Sequence, residues 1–237
     1  MPFSRKDFLS TTALGISAAV LAGSASPAKA DVAGRAPLHF HVLGSNEFDK
    51  AARDRILQNS SQNKQVFQSV NAITVAPGVA SLYIHMQNSM NAFQFTEGMG
   101  AGGVATLAVL IGPSIVFALN DAMWKKYHIG SAFKLDATNT YYRAGSNLDT
   151  NASPDDPNGM YQDWSAQAVM KRGGSFMVCH NATTAVAAFL AMQMQGDPKT
   201  ALSDFEHNLL PGFLMVPAGV ATVQAAQTNG WKVYAII

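Results

Sequence analysis

The chain of 237 residues is 48% hydrophobic, carries 16 basic against 15 acidic side chains, and has a single cysteine, Cys179. That balance leaves no basic stripe for nucleic acid and no polybasic patch for an anionic membrane surface. One cysteine excludes a disulfide within the chain, so stability must come from the packing of an ordinary core.

Residues 1–30 read as a targeting segment. Arg5 and Lys6 form a short basic region, Thr11 to Gly23 a mildly apolar stretch, and Ala28-Lys29-Ala30 a small-x-small cleavage site. The apolar run is too short to span ~30 Å of hydrocarbon, so no stable membrane insertion is expected. Ser4-Arg5-Lys6-Asp7-Phe8-Leu9 resembles a twin-arginine export signal with lysine in place of the second arginine. The general secretory route stays open, and no cysteine near the cleavage site supports a lipoprotein. Cleavage would start the mature chain at Asp31 and remove Arg5, Lys6, Lys29 and Asp7, leaving 13 basic and 14 acidic residues. The expectation is a periplasmic protein with one domain over residues 31–237.

Leu38-His39-Phe40-His41-Val42-Leu43 alternates and predicts a short strand. Residues 46–60 have weak helical spacing, and residues 64–70 fit strand or helix. Beyond the punctuation of Ala76-Pro77-Gly78, Leu82, Met86, Met90 and Phe93 recur at helical spacing and predict a helix over 79–96, ended by the glycine-rich run 98–103. Val104 to Ile111 is continuously apolar, the mark of a strand buried on both faces, and is closed by Gly112-Pro113. A helix is expected over 115–127.

Residues 131–160 are dominated by Asn, Asp, Ser, Thr, Pro and Gly and read as an insertion: a lid, an oligomer contact or a plain surface excursion. The expected elements then alternate: helix 164–171, strand 175–179, helices 183–195 and 198–210, strand 213–216, helix 217–227 and strand 231–236. Such alternation predicts an α/β fold with a doubly wound, mostly parallel sheet.

Several segments carry a family resemblance. Phe176-Met177-Val178-Cys179-His180-Asn181-Ala182-Thr183 is similar to the strand, cysteine and Asn-Thr turn of the DsrE/DsrF-like family. Leu209-Leu210-Pro211-Gly212-Phe213, Val216-Pro217-Ala218-Gly219-Val220 and Gln227-Thr228-Asn229-Gly230-Trp231-Lys232-Val233-Tyr234 resemble its following loop, strand and closing elements. Asn88 to Phe93 and Ala122 to Tyr127 resemble an exported branch of the same family. The resemblance implies a compact sheet of about five parallel strands flanked by helices, often assembled as homo-oligomers. It also implies sulfur passed as a cysteine persulfide between donor and acceptor proteins. It implies no cofactor.

Cys179 ends a strand where a helix begins. Ligands in open α/β sheets gather at the carboxyl ends of strands, and a helix N-terminus favours the nucleophilic thiolate. His180, Asn181, Pro217, Ala218, Gly219 and Gly112 are its candidate pocket neighbours, with Asn181 and Thr183 expected to cap the helix. The competing reading is that Cys179 is a small buried hydrophobe in a non-catalytic, oligomeric or small-molecule-binding protein.

Other motifs carry less. His39 and His41 share a strand face but lack a third metal ligand. Gly98 to Gly103 precedes a strand, the wrong order for a dinucleotide fingerprint. Phe176 occupies the place of the first cysteine in a haem-attachment motif.

Overall fold

The computed structural model describes residues 39–236, and the targeting segment lies outside them. After helix α1 (Lys50–Leu57) comes the interior strand β1 (Lys64–Ser69), then a small hairpin of β2 (Thr74–Ala76) and β3 (Val79–Ala80). Helix α2 (Ser81–Asn91) follows, extended by a π-helical turn (Ala92–Thr96), and leads through the glycine run to β4 (Ala105–Leu110). A 3₁₀ helix (Gly112–Ala118), α3 (Asp121–Lys126) and α4 (Ile129–Phe133) precede a long irregular excursion, ended by a 3₁₀ turn (Met160–Gln162). The remainder is α5 (Ala166–Lys171), β5 (Ser175–Cys179), α6 (His180–Gln193), α7 (Pro198–His207), β6 (Phe213–Val216), α8 (Gly219–Thr228) and β7 (Lys232–Ile236).

The main sheet has five strands in the order β6-β5-β4-β1-β7, and every pairing is parallel. Parallel strands need helical crossovers, which cover both faces and demand apolar side chains on both. β4 meets that demand: Leu107 and Val109 face one cluster and Ala108 and Leu110 the other. The larger cluster packs α2, α5, α6 and α7 against the sheet, while α1 and α8 cover the opposite face through Leu57, Val223 and Ala226. The expected α/β architecture is therefore present, with all five strands parallel.

Two expected elements differ. Residues 39–43 form no strand. Val42 is 83% exposed, so the alternating apolar residues bury nothing and no ladder forms. The helix expected over 115–127 is broken in two. Leu119 is extended at φ −95° and ψ 142° and bridges Leu209, and Asn120 restarts the chain as the N-cap of α3. Residues 64–69 resolve to strand, because Val66 and Phe67 supply opposite faces of an interior position between β4 and β7.

Candidate functional site

The chain leaves β5 into α6 on one face, and leaves β6 into α8 on the other. Neighbouring strands whose following connections take opposite faces open a crevice at their carboxyl ends. Cys179 is paired in register with Val216 at that point.

Cys179 is itself the N-cap of α6. Its Sγ accepts from the Ala182 backbone N–H at 3.4 Å, and its carbonyl accepts from Thr183 Oγ1 at 3.0 Å. Thr183 thus bonds back into the turn and does not cap it, and Asn181 makes no side-chain hydrogen bond among the described residues. The expected capping by these two residues is corrected: the sulfur takes the cap position, and the helix starts at His180.

The second helix arrives through Gly219. A Cβ placed there would lie 2.5 Å from Ile111 Cγ1 and 3.0 Å from Cys179 Cβ, so only glycine lets the first residue of α8 sit this close. Two helix N-termini meet at this residue: that of α6 donates to the sulfur through the Ala182 N–H, and that of α8 packs its first residue against the Cys179 Cβ. Each carries a partial positive charge that stabilises an anion. The residue retains 5% of its surface.

The other predicted neighbours divide. Pro217 and Ala218 form the link from β6 to α8, and the Ala218 carbonyl accepts from Thr222 as that helix begins. Gly112 turns the chain at φ +67°, with its α-carbon face against the Val70 carbonyl 3.1 Å from a Cβ position, so it belongs to the end of β1. The residue before it, Ile111, is the one that reaches Gly219. His180 is 2% exposed and turned toward α7, where Nε2 meets Glu206 Oε1 at 2.8 Å. Its ring stands edge-on to His41 at 6.4 Å, and His41 in turn bonds Glu47 at 2.9 Å. Glu47 is held below the usual carboxylate range, first by the Gly44 N–H and then by His41. Among the described residues no three His, Cys, Asp or Glu side chains are placed to hold a metal ion.

The chain matches no family model, no curated protein and no solved structure.

At the opposite edge of the sheet lies a network that the apolar spacing of α2 did not point to. Gln87, Asn91 and Gln94 fall at i, i+4 and i+7 on that helix, one polar stripe beside the apolar one. All three direct amide oxygens at Arg172, at 2.6, 2.6 and 3.0 Å. Gln87 and Asn91 also donate to the carbonyls of Met160 and Tyr161, anchoring the end of the excursion. The spacing of the three amides was the available signal.

Proposed function

We propose that this is an exported, periplasmic sulfur-handling protein of DsrE-like type, in which Cys179 accepts sulfane sulfur as a persulfide. The observation that carries the reading is Sγ in the N-cap position of α6, accepting from the Ala182 N–H, with the start of α8 packed against the same side chain. The segments similar to the DsrE/DsrF-like family and the export-type leader support it.

The step is a thiol–disulfide type exchange. The Cys179 thiolate attacks a sulfane sulfur of a polysulfide, a new S–S bond forms as the old one breaks, and the shortened chain leaves as the anion. A persulfide anion then occupies the same partial positive charge. An acceptor protein removes that sulfur by the same exchange, so the protein acts as a carrier or accessory and not as a turnover enzyme. A homo-oligomer is part of this reading. β7 offers an exposed outer edge, with Val233 and Tyr234 at 40% and 47% exposure.

One observation favours a second reading. At 5% exposure Cys179 can serve as packing in a non-catalytic oligomeric or small-molecule-binding protein. Intact-mass analysis after polysulfide treatment separates the two, together with alkylation rates in native buffer and in denaturant. The carrier reading expects a gain of one sulfur atom, absent from Cys179→Ser, and alkylation without unfolding. A thiol that gains no sulfur and alkylates only in denaturant makes Cys179 a core residue.

A further inference from the structure

A pocket of about 330 Å³ opens at the amino-terminal edge of the sheet, where the glycine run enters β4 and α5 hands over to β5. β5 alone separates it from Cys179 by ~13 Å of strand. Its floor is apolar, from Met90, Val104 and Met160, and Arg172, Lys171 and Tyr161 also line it.

Arg172 is half-buried, and among the described residues no carboxylate pairs with it. Its three hydrogen bonds go to neutral amide oxygens, and its guanidinium lies 4.8 Å over the Tyr161 ring. Burial lowers it to about 10. A desolvated cation normally draws a counter-charge, and none is supplied from within. Both Nη1 hydrogens and one on Nη2 are used, which leaves Nε–H and a second Nη2–H without an acceptor among the described residues. Two free guanidinium donors match the two oxygens of a carboxylate.

The loop across the pocket adds to this. Gly98, Gly100 and Gly102 have φ of +66°, +74° and +79°, alternating with residues of negative φ. The Met99 and Gly103 N–H groups donate to the Phe93 and Gly100 carbonyls, while those of Gly100, Ala101 and Gly102, all lining the pocket, have no backbone acceptor among the described residues and can serve an anion. Lys171 contributes a second positive charge at the rim.

We propose that this pocket binds a small organic carboxylate, its head on Arg172 and the glycine loop and its apolar body against Met90, Val104 and Met160. The volume suits a ligand of that size. The site stands apart from Cys179, so either can fail without the other.

Isothermal titration calorimetry on the full chain, with benzoate as probe and benzamide as its neutral isostere, tests this. The expected result is saturable benzoate binding in the millimolar range or tighter, and none by benzamide. Arg172→Gln is expected to weaken benzoate about tenfold or more, the loss typical of a hydrogen bond to a charged group. Because that variant disturbs the amide cage, Ala101→Glu serves as a second. Ala101 is exposed on the loop, and a carboxylate there supplies an internal counter-ion and weakens benzoate while the cage stays intact. Equal binding of benzamide, no benzoate binding, or unchanged affinity in Ala101→Glu overturns the proposal. Sulfate binding in place of benzoate overturns the organic-acid assignment.

Discussion

Gly219→Ala tests the close approach on which the Cys179 site depends. The new methyl would lie 2.5 Å from Ile111 Cγ1 and 3.0 Å from both Ile111 Cδ1 and Cys179 Cβ. Carbon atoms rest about 3.5–4.0 Å apart, so the partly buried Ile111 must yield by about 1 Å. Overpacking of this kind costs about 1–3 kcal/mol. A stiffer unfolded chain returns about 0.4–1 kcal/mol. The net expectation is a loss of about 1–2 kcal/mol, read as a lower urea midpoint at unchanged m-value. Ile111 is partly buried, so Ile111→Ala alone should cost about 2 kcal/mol, the low end for such truncations. Combined with Gly219→Ala it should cost less than the sum, with a coupling of about 0.5–3 kcal/mol. A raised midpoint for Gly219→Ala, or strict additivity in the double variant, would refute the packing of α8 against the β4 and β5 ends.

Three further outcomes follow from other contacts. Trp231 is buried and its Nε1–H donates to the Leu57 carbonyl at 2.8 Å, tying α1 to the start of β7. Trp231→Phe should cost about 1–3 kcal/mol and speed amide exchange in α1 before other helices. Asp204 accepts from Lys126 at 2.5 Å and from the Tyr127 hydroxyl, and Lys126 first, then Tyr127, hold its carboxyl below the ordinary 3.8. A depressed folded value means the stabilisation is complete above 3.8 and is lost as pH falls through the lower folded value. Asp204→Asn should therefore cost of order 1 kcal/mol at neutral pH, allowing for solvent screening, and nothing in strong acid; urea midpoints across pH check this. Asn139 is 4% exposed and donates to the Phe117 and Leu119 carbonyls at 2.9 and 2.8 Å, pinning the excursion. Asn139→Ala should cost about 2–4 kcal/mol and open protease cleavage within residues 134–159; cleavage no faster than in the unaltered chain would count against that anchoring role.

Where one rule governed a segment, its expectation matched. β5 and β6 lie at 175–179 and 213–216 because each is an apolar run bounded by turn residues, and a strand buried on both faces needs nothing more. α2 followed its apolar spacing for the same reason. The departures arise where a non-local contact decides. Leu119 breaks a helical stretch to bridge Leu209, ninety positions on, and no local pattern encodes that partner. The start of α6 was expected at Thr183 because its cap was sought among oxygen side chains, whereas a sulfur takes the role. Arg172 belongs to no local pattern, since its acceptors lie on α2 and its π-helical extension, more than seventy residues earlier.

The two edges of the sheet place contrary demands on burial. At the carboxyl edge the strand order sends α6 and α8 to opposite faces from adjacent strands, so their N-termini must meet, and glycine at 219 sets how closely. That packing sets the α6 N-terminus against Sγ through the Ala182 N–H and at the same time removes most of the residue's surface. A wider crevice would expose the sulfur but give up the close packing of α8 on the Cys179 side chain. A reactive Cys179 must therefore be reached by local opening, and the start of α8 at Gly219, which packs on Cys179 and is entered by the half-buried link Pro217-Ala218, is the segment whose displacement is expected to uncover it. Alkylation governed by such opening should slow when that link is stiffened, and should stay well faster than global unfolding.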